Sequence, residues 1–148
     1  MKHGSISVGH VLALTDAVEW ACDSEQIDAN KWRYTYLNMR LNAEMDKVGI
    51  KHEWIGDGDD RIAAISAIRL NGLNADALQQ YLATKQIYIG IGHSSCAEDA
   101  DYRVLKTYGL TEQEASEVIR VSFGDETTEH DIDEFINSVI DYKEKFVR

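Results

Sequence analysis

The tightest constraint on the fold is a pair of strand-like runs with little chain between them. Ile50 to Trp54 and Ile62 to Leu70 both read as strands, and the exposed turn Gly56-Asp57-Gly58-Asp59-Asp60 lies between them. A parallel pair needs a crossover of about a dozen residues or more, so these two strands are expected to be antiparallel. Asn71-Gly72 closes the second strand. Further on, Ile87, Ile89 and Ile91 alternate as a third strand, and Val118 to Phe123 reads as a fourth.

Helical periodicity fills the remaining chain. Ser5 or Ser7 can cap a helix over 8–22 with Val11, Leu14, Val18 and Cys22 on its core face. A second helix, 28–48, carries Tyr34, Leu37, Leu41, Met45 and Val48 as one apolar stripe, and Gly49 ends it. Asn74 caps a short helix bearing Leu78, Tyr81 and Leu82. Residues 102–108 form one or two helical turns, Thr111-x-x-Glu114 is a capping box, and Thr128 caps a last helix with Ile132, Phe135, Ile136, Val139 and Ile140 on one face. The predicted order is ααββαβααβα, an α+β domain whose small, mainly antiparallel sheet is covered by helices.

The 148 residues include no proline and ten glycines, with no linker, low-complexity run or repeat, so 1–148 reads as a single domain. That length supports one good core and leaves no room for a second domain of ordinary size. Lys and Arg number 15 against 26 Asp and Glu, a formal charge of −11. Direct nucleic-acid binding and attachment to anionic membranes both need clustered cations, which the sequence lacks. No apolar run reaches the ~18–20 residues of a membrane helix, and Met1-Lys2-His3-Gly4-Ser5 opens no secretory signal. The expected compartment is the cytoplasm, where Cys22 and Cys96 stay reduced.

The Asp57, Asp59, Asp60 cluster does not make a calcium loop, because the glutamate needed about six residues after the central glycine is replaced by Ala64. It reads as a solvated turn, and no metal site is expected. Trp20, Trp32 and Trp54 are most simply core or edge residues.

Several segments, taken in order, resemble the C-terminal part of cysteine desulfurases. They are Gly72-Leu73-Asn74-Ala75-Asp76-Ala77-Leu78, the strand running into Gly92-His93-Ser94-Ser95-Cys96, Gly109-Leu110-Thr111 with Ala115, Ile119-Arg120-Val121-Ser122-Phe123-Gly124, and Thr127-Thr128-x-x-Asp131-Ile132-Asp133. Lys2-His3-Gly4-Ser5 resembles a drifted form of the segment that introduces this region. The resemblance implies the small domain of a two-domain, pyridoxal-phosphate-dependent enzyme of the class V aminotransferase group, like the C-terminal domain of fold-type I enzymes. It also implies that the large cofactor-binding domain is missing from these residues. No cofactor is then expected on this chain alone, and pyridoxal phosphate only if another chain supplies that domain.

Four residues become site candidates through the resemblance. Cys96 falls at the place of the catalytic cysteine, whose thiolate would take up sulfur as a persulfide; Gly92, Ser94 and Ser95 give its loop freedom and low bulk. The plainer reading of Cys96 is an inert turn cysteine, and the acidic neighbours Glu98, Asp99 and Asp101 weaken its nucleophilicity by raising the thiol pKa. His93 could serve as a general base or lower that pKa, or simply be a surface histidine. Arg120 matches the arginine that grips a substrate carboxylate in a forked pair, its alternative being a strand-end arginine paired with local acids. Asp125 stands where many members carry another arginine, and its charge opposes a carboxylate. Ser5 matches a hydroxyl that reaches the cofactor phosphate of a neighbouring subunit, against the plainer role of a helix cap.

The leading expectation is a stand-alone desulfurase-like small domain, not competent alone for pyridoxal phosphate chemistry, that handles sulfur on Cys96 within a complex. Its rival is a non-catalytic acidic protein that mimics the domain and binds a basic partner through its charge. A domain freed from its larger neighbour exposes an apolar strip, so a homodimer or a hetero-complex with a desulfurase or sulfur-acceptor protein is expected.

Overall fold

The computed structural model describes residues 7–56, 61–93 and 102–147. The chain divides into two compact units, Met1–Arg33 and Tyr34–Arg148. The elements follow the expected order: α1 (Val8–Ala21), α2 (Ser24–Lys47), β1 (His52–Ile55), β2 (Ile65–Leu70), α3 (Ala75–Thr84), β3 (Gly90–Ile91), α4 (Arg103–Thr107), α5 (Glu112–Ala115), β4 (Val118–Ser122) and α6 (Glu129–Phe146).

In the first unit α1 forms where its periodicity places it, but it buries none of its residues. Val11, Leu14, Val18 and Cys22, expected on a core face, are all exposed, as are Trp20 and Trp32, because no described side chain covers them. Ser7 occupies the N-cap position of α1 without a side-chain cap bond, and Ser5 lies outside the described residues. α2 starts earlier than its apolar stripe suggests. The Asp23 carboxylate accepts the N–H groups of Glu25 and Gln26, which satisfies helix-start donors ahead of the first apolar residue.

The second unit is built on one four-stranded sheet in the order β1-β2-β4-β3, antiparallel throughout. The alternating burial of β2 sorts its side chains onto two faces, with Ser66, Ile68 and Leu70 buried on one. On that face Ile68 stands opposite Ile119 of β4, both wholly buried. Leu37, Leu41 and Met45 of α2, Leu78 and Leu82 of α3 and the α6 stripe of Ile132, Phe135, Ile136 and Val139 complete this main core. Each fully buried side chain of this size contributes about 1.5–3 kcal/mol. Val48, placed on the same stripe by its spacing, is exposed instead at the end of α2. Trp54 packs at the edge of the main core and donates its indole N–H to Asn42 Oδ1 at 2.8 Å.

The opposite face carries a smaller cluster, Tyr102, Leu105, Ala115 and Val118, with Ile55, Ala67 and Leu110 against it. This second layer, supplied by α4, α5 and their flanks, covers only part of the face. The third strand is shorter than its alternation suggests: Ile87 and Ile89 pack against the main core, but only Gly90 and Ile91 pair with β4.

Candidate functional site

The site is organised by one row of residues across the sheet. Ile55 stands opposite Ala67, Ala67 opposite Arg120, and Arg120 opposite Gly90, so the four lie on one face of four adjacent strands. The face is the one that the smaller cluster leaves partly open. The Arg120 side chain lies across Gly90, where a Cβ would come within 2.9 Å of Nε and 3.2 Å of the arginine Cβ. A glycine in β3 is therefore what lets this guanidinium lie flat on the sheet.

Arg120, Arg61 and Tyr108, with the apolar side chains of Ile55, Ile65 and Ala67, line a pocket of about 360 Å³. That size is at the low end of ligand-binding clefts, which span roughly 300–1,000 Å³, and suits a molecule no larger than an amino acid. Although the chain has 26 acidic residues, no carboxylate lines the pocket among the described residues. The Arg120 side chain has no hydrogen-bond or ion-pair partner among the described residues. The local-acid pairing considered for it from sequence is thus absent there. Elsewhere the acids do gather arginines: Arg40 meets Glu44, Glu129 and Asp133, and Arg69 meets Glu53, Glu114 and Glu117. Those partners hold the Arg69 guanidinium above its ordinary value, the Glu117 bond being the largest cause.

Arg61 is fixed from below. Its Nη1 donates to Ser66 Oγ at 2.8 Å, and its guanidinium carbon sits 4.6 Å from the centre of the Trp54 ring. Buried Ser66 donates in turn to Asn38 Oδ1, and the Asn38 amide donates to the carbonyls of Tyr34 and Ala63. The network ties the start of β2 to α2.

His93 follows β3 directly. Its Nε2 lies 3.0 Å from Asp76 Oδ1 in the first turn of α3, and its ring meets Tyr102 edge-on at 5.5 Å. Asp76 thus fixes one ring nitrogen of a histidine at the entrance to the segment that carries Cys96. Cys96 and Ser5 lie outside the described residues, as do Asp57, Asp59 and Asp60. Asp125 is absent from the Arg120 pocket and accepts the Tyr34 hydroxyl at 2.6 Å.

Of the four site candidates singled out from sequence, Arg120 and His93 lie among the described residues; Arg61, Tyr108 and Asp76, which neighbour them, were not singled out. Arg61 follows an acidic turn and carries no motif of its own, and Asp76 stood out only as one residue of the family-like segment 72–78. The strand register that places Gly90 beside Arg120 was the available signal. Pyridoxal phosphate needs a lysine amine at its aldehyde and a partner at its ring nitrogen, commonly a carboxylate. Among the described residues the walls of the pocket supply no lysine or carboxylate, so these residues do not fit that group.

Comparison with known proteins agrees with this architecture. The chain is 27% identical over 149 residues to the cysteine desulfurase IscS of Shewanella frigidimarina (strain NCIMB 400), covering 98% of the chain and 35% of that relative. Among solved structures it is similar to a NifS-like protein (TM-score 0.77, 18% identity, 96% of this chain and 35% of that one). It is also similar to the cysteine desulfurase CsdA of Escherichia coli (TM-score 0.62, 20% identity, 97% and 32%). The chain spans about a third of the length of these proteins. The model of the aminotransferase class V family matches residues 1–135, and the chain belongs to that family.

Proposed function

We propose that this chain supplies the small-domain half of a desulfurase-type site, in the cytoplasm. In that site Arg120 holds a substrate carboxylate, His93 assists, and Cys96 accepts sulfur, while the cofactor-bearing half comes from residues beyond this chain. The supporting observation is the Arg120 guanidinium over Gly90, without a partner or a neighbouring acid among the described residues. A guanidinium offers a carboxylate two parallel, charge-assisted hydrogen bonds, and apolar walls reduce the competition from water. β3, which carries Gly90, leads within two residues to His93 and then to the segment of Cys96. A carboxylate on Arg120 and a sulfur acceptor on the next loop are the two functions that a cysteine-handling site needs from this part of the fold.

Titration with propionate, followed by the amide NMR shifts of β3 and β4, tests the reading. Saturable binding that weakens about tenfold in Arg120→Gln is expected, the loss of one charge-assisted pair. Equal binding by wild type and Arg120→Gln would overturn it.

The second reading, an acidic protein that acts by binding alone, is favoured by the first unit. Val8, Leu12, Leu14 and Trp32 are all exposed there, Trp32 to 78%. Apolar surface of this kind is usually covered by association, so a homodimer or a complex with a desulfurase or sulfur acceptor accompanies either reading. Cys96→Ser separates them: sulfur transfer is lost with the thiol, whereas binding through the exposed helix is retained.

A further inference from the structure

The geometry points to Arg61 as a second anion-binding group of the Arg120 pocket, and so to a ligand carrying two acidic groups on a short apolar spacer. This rests on the reading that Arg120 holds a carboxylate and adds the chemical class of what binds there.

Three observations carry it. First, like Arg120, Arg61 has no carboxylate partner among the described residues, whereas Arg40 and Arg69 meet three acids each. Two guanidiniums thus line a single pocket with no carboxylate beside them among the described residues. Second, Arg61 is positioned in advance. Stacking on Trp54 and the single bond to buried Ser66 fix its plane and occupy one of its five N–H donors, leaving the others for a ligand. Third, the two arginines come from different elements, β4 and the segment leading into β2, with Ile65 and Ala67 of β2 in the same wall. Two guanidiniums repel each other, and more strongly beside apolar walls than in water. An anion on each relieves that repulsion, and the aliphatic residues match a methylene spacer. Tyr108 adds a neutral hydroxyl to the same wall.

The test compares succinate and glutarate with propionate and butyrate on the full chain at fixed ionic strength. The better dicarboxylate is expected to bind about tenfold more tightly than its matched monocarboxylate, the increment of one further charge-assisted pair. Arg61→Gln should reduce that ratio to about the factor of two that comes from having two equivalent ends, and Arg61→Lys should restore part of it, since charge returns without the fork. The wild-type ratio needs no variant and therefore does not depend on how Arg61→Gln folds. A wild-type ratio near two, with propionate binding still dependent on Arg120, would overturn the inference and leave the Arg120 reading intact. Propionate binding indifferent to Arg120→Gln would overturn that reading and the two-group pocket with it.

Discussion

Two glycines of β3 and its exit show what single residues contribute and how much of that is legible in advance. Gly92 read from the sequence as a source of loop freedom, but its place is set by close packing. A Cβ there would lie 2.5 Å from Leu105 Cδ1 and 3.1 Å from the Ala115 carbonyl oxygen. Gly92→Ala is therefore expected to destabilise the protein by about 1–3 kcal/mol, the usual cost of overpacking. A thermal melt unchanged by that substitution would show that α4 can move aside. Arg120 was legible from its family position, whereas Arg61 was not. Its setting comes from Trp54 and Ser66, which are neighbours in space and which no linear pattern displays. Asn38 was equally hidden: it sits between core positions of α2, and only the fold brings it to Ser66.

At the scale of elements the sequence was most informative where local chemistry decides. The Thr111 capping box with Glu114 forms as expected, and Thr128, expected as a cap, completes a second box with Asp131. The Thr128 backbone N–H, and next its hydroxyl, hold the Asp131 carboxyl below its ordinary value. A lowered native pKa stabilises the fold above the unfolded value and stops doing so as pH falls through the native one. The contribution of this cap is thus complete at neutral pH and lost on acidification below about pH 4, the ordinary carboxylate range. Thr128→Ala should cost about 1 kcal/mol at pH 7, and the gap between variant and wild type should narrow as melting is followed down to pH 3. A gap constant with pH would mean that Asp131 does not take part. Where partners across space decide, sequence reading failed. The alternation of Ile87, Ile89 and Ile91 predicts a longer strand than the two residues that pair, and the periodicity of α1 predicts a buried face where all its residues are exposed.

For the whole molecule, the sequence order of helices and strands was enough to identify an α+β fold with an antiparallel sheet, because short connections exclude the parallel alternatives. What it could not show is what covers α1, since that surface is not used within the described residues. The exposed apolar side chains of α1 and the start of α2 lead to an expected dimer or stable complex. Light scattering across a dilution series should give a mass above that of the 16.7 kDa monomer; a monomer mass at every concentration would exclude self-association. The same incompleteness applies to the chemistry. The family site needs a lysine, a cofactor and a thiol together, while the pocket here offers guanidiniums and apolar walls. The most direct test supplies the pure chain with pyridoxal phosphate and L-cysteine and measures alanine and sulfide. The account predicts neither product, and sustained formation of alanine that Cys96→Ser abolishes would contradict it.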